Sequence, residues 1–237
     1  MILWMMACGV PTETPEDAPP VPVQCEGDGE PTSMTIAPYV QLVTTNSVWV
    51  MWETDAGTES TVRFGPTDAL GETACGTTVP ILEGAVGTTE VHEAQLTGLT
   101  PATTYHYQVQ TGELQSAIHH FRTAPDDPDG RFQLVALGDS QQDSSRPEKF
   151  GEVIHEGVLP VVRERYGDDL AGSVAMVLFA GDLVDSGWIQ TEWQEQYFAP
   201  AAELFSTVPL YPVLGNHEGN SPHYFRYFHL PESEHYY

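Results

Sequence analysis

The 237-residue sequence is poor in basic residues, in cysteine and in long apolar runs. It has 8 Lys and Arg residues against 34 Asp and Glu residues, which gives a formal net charge of −26. Such a surface repels nucleic acids and anionic membranes, so the charge argues against a nucleic-acid-binding protein. It also repels a phosphate ester unless bound cations reverse the local field.

Cysteine occurs three times, as Cys8, Cys25 and Cys75. No CxxC or Cys/His spacing is present that would indicate a zinc site. In an oxidising compartment Cys25 and Cys75 could form a disulfide, and two free thiols are the alternative.

The apolar residues 1–8 end in Ala7 before Cys8, like the end of a bacterial lipoprotein signal in which the cysteine is lipidated. No basic segment precedes them, and they are shorter than the roughly 15–30 residues of a secretory signal. An unremarkable apolar N-terminus is the alternative to export. No other apolar run reaches the roughly 18 residues needed to span a bilayer.

Composition and periodicity divide the rest of the chain into three parts. Residues 9–33 are rich in Pro, Glu, Asp and Thr and predict an extended, disordered acidic linker. Residues 34–124 alternate with a period of two between turn residues, which predicts an antiparallel β-sandwich with Trp52 in its core. Residues 96–105 match a tyrosine corner, with Tyr105 at its end.

Residues 125–237 change to strand, helix, strand, helix, strand, which predicts a largely parallel, covered sheet. The expected strands are 132–137, 174–180 and 208–214. We expect the first helix to open at Ser145 with a capping box to Glu148, and Pro160 to kink or divide it. A second helix is predicted from about Ile189 to Phe205.

Three short blocks follow these strands, and they carry the chemistry. They are Gly138-Asp139-Ser140, Gly181-Asp182-Leu183-Val184-Asp185 and Gly215-Asn216-His217-Glu218. Ligand sites of parallel sheets form beyond the carboxyl ends of the strands, where all three blocks stand. Asp and Asn oxygens are typical ligands of hard or borderline cations, and a pair of such cations is one way to hydrolyse a phosphate ester.

The blocks resemble the opening motifs of the calcineurin-like metallophosphoesterases. The sandwich in front, which resembles a fibronectin type III domain, points to the purple acid phosphatase branch. The resemblance implies two metal ions (Fe, Zn or Mn). Asp139 would ligate the first ion, Asp182 would bridge both, and Asn216 would ligate the second. His217 would act beside the leaving group as a metal-bound hydroxide attacks phosphorus.

The sequence departs from the family pattern at two positions. The branch has a metal-ligating tyrosine where this chain has Asp185, so a purple iron–phenolate site is not expected. Gln141 stands where the family has Gly or a ligating His, and its amide oxygen would ligate weakly at best. We assign Gln141, Asp185 and Glu218 to the surroundings of the ligands, and Glu218 could either orient His217 or face solvent.

The family also supplies His ligands from VxxH and GHxH blocks, and none lies between Glu218 and Tyr237. We therefore expect the N-terminal part of an enzyme, inactive by itself and prone to aggregate through a half-formed sheet. His223, His229 and His235 are interpreted as loop or surface residues. A structural role is preferred for the sandwich histidines, with adventitious metal binding by the adjacent His119 and His120 as the alternative.

The predicted architecture is thus an N-terminal antiparallel β-sandwich (34–124) followed by a partial α/β metallophosphoesterase domain (125–237), the first β-α-β-α-β part of a four-layer fold. The predicted function is an exported, acid phosphatase-like phosphomonoesterase, with a small phosphate ester as its partner and lipidated Cys8 as a candidate membrane anchor. A phosphodiesterase or nucleotidase with the same site is one alternative. A non-catalytic surface binding module on a degenerate phosphatase scaffold is the other.

Overall fold

The computed structural model describes residues 23–85, 87, 89–127 and 129–230. The predicted signal remnant with Cys8, most of the predicted linker, and His235 lie outside the described residues. Among the residues that are described, no helix combines the length and apolarity of a membrane span.

Two antiparallel sheets form the N-terminal sandwich. One has the strand order β1-β2-β6-β5, and the other has the order β4-β3-β7-β8 with β9 also paired to β7. The strands are β1 Met34–Gln41, β2 Ser47–Thr54, β3 Thr61–Gly65, β4 Glu72–Cys75, β5 Thr77–Thr78, β6 Glu90–Thr97, β7 Thr104–Thr111, β8 Leu114–Gln115 and β9 His119–Arg122.

Alternation along the strands produces the sandwich core, as the period of two predicts. Along β7 every second residue is buried, beginning with Tyr105. Trp52 is fully buried, and its indole N–H donates to Thr111 Oγ1 at 3.0 Å. Tyr105 Oη accepts the backbone N–H of Thr100 at 3.0 Å, which is the backbone contact expected of a tyrosine corner. Cys25 and Cys75 form a disulfide with Cα atoms 5.3 Å apart, so the first of the two cysteine alternatives is present.

A three-stranded parallel sheet follows the sandwich. Its strands are β10 Leu134–Leu137, β11 Met176–Phe179 and β12 Leu210–Pro212, in that spatial order. Leu134 pairs with Met176, and Val177 pairs with Leu210. The three carboxyl ends therefore meet at one edge, as the sequence predicts for the three blocks.

The first long helix begins later than expected. The segments Lys149–Glu152, Val153–Val158 and Leu159–Tyr166 run without a break. The predicted capping box is wrong: Glu148 is the N-cap residue and has no side-chain cap, while Ser145 bonds to Asp143 Oδ1 through its N–H and hydroxyl. The competing turn at Asp143 satisfies Ser145 locally.

Pro160 does not break this helix. The turn before it, Val153–Val158, widens to a π-helix, and the helix then continues. A wider turn accommodates the missing proline N–H and its ring. The second long helix also widens to a π-helix before a proline, Pro200. Its segments are Gln190–Glu192, Trp193–Phe198, Ala199–Ala201 and Ala202–Phe205. Two short helices, Leu170–Ser173 and Pro222–Tyr227, complete the fold.

The sandwich and the α/β part share one hydrophobic core. Ile36, Tyr39 and Met51 from the sandwich belong to the same buried cluster as Trp193 and Phe205 of the second long helix. Apolar burial of this kind stabilises the joint between the two parts by roughly 25 cal/mol per Å² of apolar surface removed from water. The sandwich is therefore packed against the helices that support the parallel sheet.

Glu53 is a buried carboxylate at the centre of this joint. Its Oε1 atom accepts hydrogen bonds from Gln190 Nε2 at 2.8 Å and Tyr227 Oη at 2.9 Å, as well as from Thr89. Its Oε2 atom accepts from Gln194 Nε2 at 2.7 Å and from a sandwich threonine. A buried carboxylate is tolerated when its lone pairs are satisfied in this way.

One face of the parallel sheet is open in the described chain. Leu134 is 44% exposed, Leu178 37% and Val213 40%, and strand pairing places all three on the face away from the helices. An apolar sheet face of this kind is an aggregation hazard, and the predicted aggregation of the chain on its own stays a prediction.

Candidate metal centre

Each aspartate of the first two blocks occupies a strained turn at the end of its strand. Asp139 has φ 51° and Asp182 has φ 53°, both in the left-handed region. Asp tolerates this region better than most residues, although at some cost in free energy. The shared conformation carries both aspartates from the strand end into the turn by the same backbone path.

Hydrogen bonds join the first two turns to each other. The N–H of Asp139 donates to Gly181 O and the N–H of Gln141 donates to Asp182 O, each at 3.2 Å. The buried hydroxyl of Ser140 donates to Leu183 O at 2.9 Å. This role of Ser140 could not be predicted from the sequence, because a hydroxyl after Gly-Asp carries no signal of its own.

The third block lies directly against the second. The backbone N–H of His217 donates to Asp182 Oδ1 at 3.0 Å. A Cβ atom on Gly215 would lie 2.2 Å from the same Asp182 Oδ1 atom, and one on Gly181 (φ 87°) would lie 2.8 Å from Gly215 Cα. Both glycines are therefore required for the close approach of the two turns.

Glu218 fastens the second and third blocks together. Its carboxylate is fully buried. One oxygen accepts the N–H groups of Asp182 at 3.0 Å and Gly215 at 2.7 Å, and the other accepts those of Leu183 at 2.7 Å and Val184 at 3.4 Å. The structure thus corrects both interpretations of Glu218 made from the sequence. The Glu218 carboxylate is bonded to backbone N–H groups, so it neither orients the His217 ring nor faces solvent.

His217 presents its imidazole near Asp185. Nδ1 lies 2.7 Å from Asp185 O, so this nitrogen carries a hydrogen and donates it. That hydrogen bond is the main cause of a pKa raised above the ordinary histidine value, and the Asp182, Asp185 and Glu218 carboxylates add to it while partial burial opposes it. The charged imidazolium is favoured, and Nε2 remains available as a proton donor.

Gly187 braces the loop that carries Asp185. Its N–H donates to His217 O at 3.0 Å. Its carbonyl accepts hydrogen bonds from Trp193 Nε1 at 2.8 Å and from Ser221 Oγ at 2.5 Å. The backbone of the third block is therefore coupled to the second long helix and, through that helix, to the sandwich.

A cavity of about 540 Å³ opens at this edge. Among its lining residues are Asp139, Gln141, Asp185 and His217, together with Lys149, the only lysine of the sequence. Gln141 Oε1 is buried and has no hydrogen-bond partner in the described structure. A buried acceptor without a donor is costly, and a cation beside it would remove that cost.

The oxygen donors at this edge supply part of what a metal ion requires. Within the described residues, no three His, Cys, Asp or Glu side chains converge as a ready site. Asp139, Asp182, Asn216 and Gln141 nevertheless supply carboxylate or amide oxygens from turns that meet at one edge. Asp139 and Gln141 line the cavity, whereas Asp182 and Asn216 are not among its lining residues. Oxygen donors of this kind suit a hard cation, so the residues fit part of a metal centre.

Two of the other histidines occupy packed positions. His223 is buried, which corrects the expectation of a loop or surface residue, and it stacks on Tyr227 with ring centroids 6.3 Å apart. His229 is half-buried and stacks on Trp49 at 3.8 Å. Neither lines the cavity described above.

Comparisons with known proteins agree with this geometry. The family model "Purple acid Phosphatase, N-terminal domain" matches residues 31–123, and the model "Calcineurin-like phosphoesterase" matches residues 118–237. No curated protein matches the chain.

Solved structures that share the fold include the following two. The purple acid phosphatase PPD1 from yellow lupin (Lupinus luteus) seeds is 18% identical with a TM-score of 0.63, and the match covers 84% of this chain and 41% of that one. A structure of PhoD is 10% identical with a TM-score of 0.51, over 80% of this chain and 40% of that one. The chain thus spans about 40% of the length of each.

Proposed function

The chain belongs to the calcineurin-like phosphoesterase family, and on that premise we propose that the intact protein is a metal-dependent phosphoric ester hydrolase that acts on phosphomonoesters. One observation carries the proposal: three strand-terminal blocks are hydrogen-bonded together at one sheet edge. Ser140 and neighbouring backbone groups join the first block to the second, and Asp182, His217 and Glu218 join the second to the third. A common binding site at that edge is what this arrangement can build.

Two metal ions are proposed as the cofactors. Asp139 would hold the first, Asp182 both, and Asn216 the second, with Gln141 Oε1 as an added donor. Such ions neutralise charge on phosphoryl oxygens and lower the pKa of bound water. Asp185 provides no phenolate ligand for ferric iron, so we propose Mn or Zn as the metal in preference to a purple iron site.

The residues of the chain have their own tasks in the proposed reaction. His217 donates Nδ1–H to the Asp185 carbonyl, which leaves Nε2 to give a proton to the departing alkoxide. The hydrogen bond to Asp185 O is the main cause of the raised pKa of His217, and it favours the protonated form that this task requires. Glu218 and Ser140 hold the turns in place without reaching the substrate.

Export is proposed for the protein, and the Cys25–Cys75 disulfide supports it because disulfides persist in oxidising compartments. Lipidation at Cys8 would then attach the protein to a membrane. The proposed partner is a small phosphate ester rather than a nucleic acid, since the net charge of −26 repels polyanions.

The test is a substrate panel on the intact gene product after chelation and reloading with Mn, Zn or Fe. We expect metal-dependent release of phosphate from aryl and alkyl monoesters, and slower cleavage of bis(p-nitrophenyl) phosphate. Faster cleavage of diesters would replace the monoesterase with the phosphodiesterase alternative. Absence of turnover with every metal and ester would favour the non-catalytic binding module.

A further inference from the structure

Two histidines face each other on the outer surface of the sandwich. His106 of β7 and His120 of β9 are direct cross-strand partners. Their ring centroids lie 6.0 Å apart with an interplanar angle of 37°. Both side chains are half-buried, and in the described part of the chain neither imidazole has a hydrogen bond or an ion pair.

The adjacent His119 belongs to the opposite face of the same strand. It is the cross-strand partner of Tyr107, with ring centroids 5.7 Å apart. Burial, with the nearby His120, lowers the pKa of His119. Because neighbouring residues of a strand point to opposite faces, His119 and His120 cannot chelate one ion. The adventitious His119–His120 site considered from the sequence is therefore wrong. The two histidines that lie side by side on one face of the sheet are His106 and His120.

We propose that His106 and His120 form a binding site for a borderline divalent transition-metal ion, separate from the phosphoesterase edge. Two imidazoles on one tetrahedral ion, with metal–nitrogen distances of about 2.0–2.1 Å, hold their ring centroids roughly 5 Å apart. The observed separation of 6.0 Å closes to this value by small side-chain rotations on a rigid strand pair. Water completes the coordination.

The surroundings of the pair select among cations. The next cross-strand partners on this outer face are Thr104 with Arg122, and Gln108 with Arg63, so no carboxylate stands beside the rings in the register. Calcium and magnesium require oxygen ligands and gain little here. Imidazole nitrogen suits Cu²⁺, Ni²⁺ and Zn²⁺, with Cu²⁺ bound most tightly.

Having two protein ligands makes the site exchangeable rather than permanent. The acidic chain as a whole attracts cations, whereas Arg63 and Arg122 oppose them locally. Metal binding requires neutral imidazoles, so the affinity falls as the pH is lowered. Of the histidines that the structure describes, His217 alone lines the cavity at the sheet edge of the phosphoesterase part, so the number of coordinating nitrogens distinguishes the two sites.

The experiment is Cu²⁺ titration of the full chain, followed by calorimetry and electron paramagnetic resonance. We expect one site per chain whose spectrum shows coupling to two nitrogens, apart from any Cu²⁺ held at the phosphoesterase edge with at most one nitrogen. His106→Ala and His120→Ala should each weaken binding at least about tenfold and remove the two-nitrogen pattern, because the second imidazole acts as an intramolecular ligand. His155→Ala, which removes an exposed helix histidine, is the matched control.

A two-nitrogen spectrum that persists in either single variant, or an affinity within twofold of the unsubstituted chain, would overturn the proposal. His106→Gln and His120→Gln are tested in parallel, so that a folding defect of one variant does not decide the result. Thermal unfolding without metal identifies any such defect. Cu²⁺ should raise the midpoint more for the unsubstituted chain and the His155 control than for the His106 and His120 variants.

Discussion

Replacing Glu218 by Gln removes charge and one acceptor oxygen from the junction of the second and third blocks. The native carboxylate is fully buried and accepts four backbone N–H groups, two on each oxygen. In the variant, the amide NH₂ replaces one of these oxygens and faces two N–H donors. These two donors lose their acceptor, whichever way the amide is turned.

The expected loss of stability follows from the desolvation of the two backbone N–H groups that lose their acceptor. Each buried N–H left without an acceptor costs about 1–3 kcal/mol, so the loss of two acceptors in Glu218→Gln should destabilise the protein by about 2–6 kcal/mol. This is a large share of a total stability of roughly 5–15 kcal/mol. The Asp182 turn depends on the same bonds, so phosphoesterase activity should fall with stability.

Urea unfolding of the intact gene product measures this cost. The control is Glu156→Gln, which makes the same chemical change at an exposed helix position and should change stability by less than about 0.5 kcal/mol. If Glu218→Gln unfolded at the urea concentration of the control, Glu218 would not hold the two turns, and the reasoning from its four hydrogen bonds would fail.

Three further predictions concern other positions. Gly215→Ala places a Cβ atom 2.2 Å from Asp182 Oδ1, so the turn must shift. We expect steady-state kinetics to show a fall in kcat of about 100-fold, and an unchanged kcat would contradict this prediction. Burial lowers the pKa of His92 to about 4. The unfolded chain therefore takes up more protons, and stability should decline by up to about 3 kcal/mol as the pH falls from about 6.5 to 4. His92→Gln should flatten that decline in unfolding titrations, and an equally steep decline would refute the assignment. Glu53→Ala removes the hydrogen-bond acceptor of Gln190 and Tyr227. Urea unfolding should show a stability loss of about 3 kcal/mol. A loss below about 1 kcal/mol would show that the packing of the sandwich against the α/β part does not depend on Glu53.

The sandwich and the parallel sheet could be predicted from the sequence because the patterns that indicate them lie within short stretches of the chain. An apolar run followed by Gly and Asp predicts a strand and its turn, and the parallel sheet places the Asp139, Asp182 and Asn216 turns at the predicted edge. The period of two likewise predicts the sandwich and the burial of Trp52. The metal-ligand roles of these residues stay predictions.

What could not be predicted depends on contacts between distant residues. Glu218 has the same local sequence whether it is buried or exposed, and three of its four donors come from the second block, which only the fold brings near. Glu53 meets Gln190 across 137 residues of chain. The failed cap at Ser145 has a local cause, because Asp143 competes for the same hydroxyl and N–H.

The central claim is that the three blocks hold metal ions that hydrolyse a phosphate ester. The most direct measurement is metal-dependent hydrolysis of p-nitrophenyl phosphate by the intact gene product, compared with its Asp182→Ala variant at equal folded concentration. Because Asp182 is proposed to bridge both ions, we expect a loss of at least about 1,000-fold in kcat/KM, which corresponds to roughly 4 kcal/mol of transition-state stabilisation. Full activity of the variant would contradict the account.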